Sequence, residues 1–172
     1  MELLGEFFEK DFAIESEAKK EVLYEVRKAA RAILFNGAGE IAFLYMVHSD
    51  HHKLPGGGVE RDESLETALR REVREETGCD IAVRPGSVGA IIEYRDSKKL
   101  LQISYCFLAD AVGDRSAVEF TEEERQRGAE LEWMRLEDAI AALEKDTPTD
   151  YAGQFIRKRD LLFLEKAKEL LD

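Results

Sequence analysis

Cysteine is scarce: of 172 residues only Cys79 and Cys106 are thiols, and they lie in different segments without CxxC spacing. This excludes a disulfide framework or a zinc knuckle and fits reduced thiols in a cytoplasmic setting. Basic residues are the scarcer charge, with 25 Lys plus Arg against 37 Asp plus Glu and a formal net charge of -12. Duplex nucleic acid is therefore not an expected partner, and handling phosphates would require a metal cation or a local basic patch. No apolar run approaches bilayer-spanning length, so no membrane association is expected. The N-terminal stretch scatters acids where a signal peptide would carry a basic region and an apolar core. Internal repeats and low-complexity linkers are missing too, and residues 1–172 are expected to form a single domain.

Residues 1–26 read as an N-terminal arm, a short strand or irregular segment leading into the first long strand. Residues 31–35 and 41–47 read as strands joined through Asn36-Gly37, a hairpin signal. The stretch HSDHHKLPGGG, residues 48–58, reads as a loop because of its polar residues, proline and three successive glycines. Asp62 or Ser64 can cap a helix that ends near Thr77, with Gly78 suited to the left-handed position that follows. Residues 81–94 and 100–109 read as strands flanking the turn RDSKK, and residues 129–136 as a short strand followed by the helix LEDAIAALEK. Residues 151–172 form an amphipathic C-terminal helix with Phe155, Leu162 and Leu170 as core candidates. This order predicts an α/β or α+β sandwich around a mixed β-sheet.

The helix before Gly78 is crowded with glutamates. At about 100° per residue with Leu65 at zero, Leu69, Val73 and Ala68 define an apolar sector near 40°, 80° and 300°. Glu76 falls near 20°, Glu72 near 340° and Glu75 near 280° on the same wheel, over that sector rather than opposite it. Like charges turned one way repel, and anions in the last turns oppose the helix dipole, so a positive partner is required. Arg71 can reach Glu75 across one turn and Glu63 eight positions back, but one arginine does not neutralise the set. A hard cation with oxygen ligands does, and Gly56, Gly57 and Gly58 let backbone groups approach it or its phosphate ligands closely.

The stretch from Gly57 to Cys79 resembles the signature of the Nudix hydrolase superfamily. Gly57 opens the pattern, Glu63 follows, and Arg71, Glu72, Val73, Glu75, Glu76, Gly78 and Cys79 complete it. The resemblance implies an α/β/α sandwich and a pyrophosphohydrolase that cleaves a diphosphate linkage in a nucleoside diphosphate derivative or nucleoside triphosphate. It further implies Mg2+, or Mn2+, held by Glu72, Glu75 and Glu76 with the Gly57 carbonyl, while Glu63, Arg71 and Gly78 hold the motif in shape. Catalytic candidates are Glu72, Glu75 and Glu76 together with Glu124, drawn from the acidic segment FTEEERQRG as a base outside the motif. Gly56, Gly58, Tyr94 and Arg95 are substrate-binding candidates, Arg95 as part of a basic turn with Lys98 and Lys99. His48, His51 and His52 are read as exposed loop residues, and Trp133 as packing. Dinucleoside polyphosphate or nucleotide-sugar hydrolysis, or a nucleotide sensor without turnover, are the alternatives. An isopentenyl diphosphate isomerase shares the fold, but no catalytic cysteine context supports it. The arm and the last helix also offer surfaces for a homodimer.

Overall fold

A computed structural model describes residues 1–12, 14 and 22–172; residues 13 and 15–21 of the expected arm lie outside the described residues. Alternation along β2 (Glu25–Phe35) sets the layers. Ala30, Ala32 and Leu34 belong to the apolar cluster on one face of the sheet and Ile33 to the cluster on the other, all fully buried, the period-two pattern of a strand covered on both sides. β2 runs parallel to β8 (Leu100–Val112) over residues 25–35 and antiparallel to β3 (Ile41–Met46) and β5 (Gly56–Gly58). β8 pairs antiparallel with β6 (Asp80–Val83) and β7 (Gly89–Arg95), and β7 takes β1 (Leu3–Phe8) in parallel. β3 carries β4 (His51–Lys53) and β9 (Ala129–Met134). Among the described residues this is one mixed sheet of nine strands.

On one face lies α1 (Leu65–Thr77), whose Ala68, Leu69 and Val73 pack on Ala30, Ala32 and Ala42. The small side chains of the sheet let the helix approach closely. On the other face α3 (Leu136–Lys145) and α4 (Tyr151–Leu171) bring Leu143, Phe155 and Phe163 against Ile33, Phe43 and Ile91. Burial of each large side chain contributes about 1.5–3 kcal/mol. A short α2 (Glu122–Gln126) precedes β9. The result is a helix, sheet, helix sandwich of α+β class, as the residue pattern predicts. Among the described residues no helix is long and apolar enough to cross a membrane. Cys79 and Cys106 are both free and buried, and burial pushes the Cys106 thiol up.

Four local expectations require correction. The predicted strand at 81–94 is two strands, because Pro85 and Gly86, the latter at φ 90°, break it, and the halves pair with separate parts of β8. The predicted loop at 48–58 contains β4 and β5, since the glycines need no side-chain room and pair through backbone with Ala29, Ala30 and Arg31. Leu170 is 51% exposed, not core: packing on α4 stops at Ala167 and the last turn extends beyond it. The turn after β7 is a single helical turn, Asp96–Lys98, and Arg95 before it is buried rather than part of an exposed basic tip.

Candidate active site

Local sequence positions the glutamates. Ser64 caps α1 by accepting from the Thr67 N–H, and Gly78 closes the helix at φ 72°, which glycine adopts without strain. Arg71 fastens the start of the helix to the preceding turn through paired bonds to Glu63 at 3.0 Å each and donates to the Gly58 carbonyl at 3.1 Å. This planar fork is the geometry that suits arginine to carboxylate.

Above α1 the glycine strand β5 lies against the carboxylates. A β-carbon on Gly57 would come within 2.2 Å of the Glu72 carboxylate, and one on Gly56, at φ 129°, within 2.1 Å of the Ala30 carbonyl. Only glycine permits both approaches. Glu76, 2% exposed, accepts from the Gly56 N–H at 2.6 Å and from the Lys53 ammonium at 2.8 Å. Lys53 also donates to Glu124 at 2.9 Å. Glu124 is held by the N-terminus of α2, where its second oxygen accepts from the Thr121 N–H and hydroxyl in a capping box. Glu72 accepts from Arg71 at 2.8 Å, and Glu75, more exposed, stands 3.8 Å from the same guanidinium.

Burial pushes the Glu76 carboxyl up to about 7, against the pull of the Lys53 ammonium. Burial also raises Glu75, with the Glu72 charge adding to it. Desolvation would raise Glu124 as well, but its hydrogen bond with Glu76 and the charge of Lys53 outweigh that and hold it well below the usual carboxylate range. Burial alone would lower the Lys53 ammonium; its two carboxylate partners hold it above its ordinary value.

Glu72, Glu76, Glu124 and Lys53 border a cleft of about 200 Å3, and Glu75 is not among its lining. Of the residues singled out from sequence, the fold brings Gly56, Gly57, Gly58, Glu72, Glu76 and Glu124 to this cleft. It does not bring Tyr94 or Arg95 there. Tyr94 stacks on Phe8 at 4.7 Å and donates to Glu6, and Arg95 is tied to Glu93 beneath Phe155. Trp133 packs against the cluster under α1. Arg27, His51, Lys53 and Arg127 also line the cleft, and the sequence reading missed them. His51 is fully buried rather than an exposed loop residue; His52 turns the other way, to Asp146. A signal existed: in a strand the residues at 51 and 53 share a side and 52 takes the opposite one, but it is visible only once β4 is known to be a strand.

The donor set tests what cation would fit. Glu72, Glu75, Glu76 and the Gly57 carbonyl are all oxygen donors, the choice of hard divalent cations, and the missing β-carbon at Gly57 is what lets the Glu72 carboxylate lie against that backbone. The residue types fit a magnesium-like ion. Among the described residues no three acidic, histidine or cysteine side chains stand in ligand geometry, because Lys53 and Arg71 engage the carboxylates instead.

A NUDIX domain model matches residues 25–155. An RNA pyrophosphohydrolase of Hahella chejuensis is 36% identical over 73 residues, covering 41% of this chain and 45% of that protein. Diphosphoinositol polyphosphate phosphohydrolase 2 of Rattus norvegicus is 30% identical over 125 residues, 71% of this chain and 65% of that one. The chain thus spans under two thirds of the length of both relatives. In fold it is similar to a MutT protein from Methanosarcina mazei (TM-score 0.59, 23% identity, 88% and 100% coverage) and to the Caenorhabditis elegans Ap4A hydrolase (TM-score 0.55, 21% identity, 86% and 100% coverage).

Proposed function

The chain belongs to the NUDIX family, and from that premise we propose that it is a divalent-metal-dependent pyrophosphohydrolase whose substrate is a small, highly anionic phosphate ester or anhydride. The observation that carries this reading is the Gly57 backbone seated against the Glu72 carboxylate beside the buried Glu76, which concentrates oxygen donors at one end of a cleft. Glu72, Glu75, Glu76 and the Gly57 carbonyl would hold Mg2+ or Mn2+. When bound, such a cation would neutralise diphosphate charge and acidify a water.

The rest of the chemistry belongs to the side chains. Arg27, Lys53 and Arg127 come from three segments to the same cleft, and their charges would bind and orient phosphate oxygens. Glu72 and Glu124 both border the cleft, and either would accept the proton of an attacking water; Glu124 lies outside the motif helix and is joined to Glu76 through Lys53. Arg71 keeps Glu72 oriented, and the Glu63 pair keeps Arg71 in place. No aromatic ring lines the cleft among the described residues, which favours recognition by charge over stacking of a base. The names of the relatives, an RNA pyrophosphohydrolase and a diphosphoinositol polyphosphate phosphohydrolase, point the same way.

The test is phosphate or pyrophosphate release from a panel of nucleoside triphosphates, dinucleoside polyphosphates, sugar nucleotides and diphosphoinositol phosphates, with Mg2+ and with chelator. We expect selective turnover that disappears on chelation and is fastest for the most phosphorylated compounds. A folded protein that binds a panel member without turning it over would replace the hydrolase by a sensor.

A further inference from the structure

Lys53 sits on β4, two residues ahead of the proline that leads into the glycine strand, with its ammonium 2.8 Å from a Glu76 oxygen and 2.9 Å from a Glu124 oxygen. Its side chain is 13% exposed and borders the open cleft. The ammonium therefore spans a carboxylate of the motif helix and a carboxylate of α2, two elements that otherwise belong to separate parts of the fold.

Resting on the hydrolase reading, we propose that Lys53 is a tethered counter-ion that occupies the carboxylates until cation and phosphate arrive together, which makes the binding of the two interdependent. Both Glu76 oxygens are engaged, one by Lys53 and one by the Gly56 N–H, so a divalent cation that approaches this carboxylate places two positive charges beside a third within a few ångströms. Metal alone is thereby disfavoured. A phosphate anion reverses the balance, because the flexible four-carbon stem of lysine lets the ammonium turn from Glu76 to a phosphate oxygen in the same cleft. Metal then replaces the ammonium on the carboxylate, and the ammonium follows the anion. Each ligand strengthens the other, and by linkage the coupling is equal in both directions. Lys53 acts here as a positioning residue that is exchanged between partners; if lysine served only to pack β4 against α1 and α2, removing its charge would leave both the Mn2+ affinity and its enhancement by phosphate unchanged.

The experiment measures Mn2+ affinity of the full chain by electron paramagnetic resonance of unbound Mn2+, with and without imidodiphosphate as probe, corrected by a protein-free titration. Wild type, Lys53→Gln and Lys53→Arg are compared after circular dichroism establishes their fold. Glutamine is one bond shorter and carries no charge, and arginine keeps the charge. We expect imidodiphosphate to tighten Mn2+ binding to the wild type by about 10-fold. Lys53→Gln is expected to bind Mn2+ alone about 10-fold more tightly than the wild type and to lose most of the enhancement, while Lys53→Arg keeps it. Mn2+ affinity in Lys53→Gln equal to or weaker than wild type, with the enhancement intact, overturns the role of Lys53 and leaves the hydrolase reading standing. Mn2+ bound by none of the three overturns both. Should Lys53→Gln not fold, Lys53→Met takes its place with the same two readouts, and a wild-type affinity indifferent to imidodiphosphate refutes the proposal by itself.

Discussion

Two clusters of buried charge lie on opposite faces of the same sheet, and they behave differently. Under α4, Arg159 donates twice to Asp160 at 2.7 and 3.1 Å and stands 3.6 Å from Glu93, which in turn takes Arg95. Glu93, Arg159 and Asp160 are fully buried, and Asp160 also accepts from the Leu54 N–H at 2.9 Å. Two cations and two anions balance here, sealed from solvent, and they brace α4 to the segment that leads into the glycines. On the α1 side, Lys53 and Arg71 are each shared in direct ion pairs among Glu63, Glu72, Glu75, Glu76 and Glu124, and the cluster opens to a cleft that Arg27, Arg31 and Arg127 also line. Burial of charge alone does not mark a functional site. An accessible cluster with displaceable partners does, because only there can a ligand exchange for a partner already present.

If the sealed cluster is structural, breaking it should cost the most. Arg159→Met leaves Asp160 without its counter-ion and Glu93 with Arg95 alone, and we expect a loss of about 3–5 kcal/mol, seen as a fall in Tm on the order of 10 °C, with turnover per folded molecule within a few-fold of wild type. An unchanged Tm would erase the distinction between the two clusters. The converse variant is Glu76→Gln, which keeps an acceptor for the Gly56 N–H but removes the charge. Its turnover should fall on the order of 10^2- to 10^3-fold, about 3–4 kcal/mol of barrier, while its Tm stays within a few degrees; activity near wild type would remove Glu76 from the chemistry.

A third pair, Arg84 and Asp110, supplies an exposed baseline, with side chains 33% and 44% exposed. The hydrogen bond from Arg84 lowers the Asp110 carboxyl below its ordinary value. Stability from a depressed carboxyl is present above the unfolded value and is lost as pH falls through the folded one. Asp110→Asn is therefore expected to be at most about 1 kcal/mol less stable than wild type at pH 7, and the difference should shrink in urea titrations as pH falls below about 4, the unfolded carboxyl's ordinary value. A difference that grows in acid would contradict the assigned direction.

Residues close in sequence carried much of this organisation. The wheel position of Glu76 over Leu65 and Leu69, the Ser64 cap and the left-handed Gly78 follow from helical period and backbone freedom, which act over a few residues. So do the alternation in β2 and the order of strands and helices. What the sequence by itself did not determine is which distant segments meet. Nothing adjacent to Arg95 shows that Phe155 of α4 will cover it, nor does the neighbourhood of Lys53 show that Glu124, 71 residues away, will share its ammonium. Pro85 and Gly86 signal a break, but only pairing with separate parts of β8 makes two strands of it. Periodicity and turn chemistry are local energies that a short stretch settles on its own, whereas contacts between elements depend on sheet register and on the packing of both faces, and these exist only once the whole chain has closed.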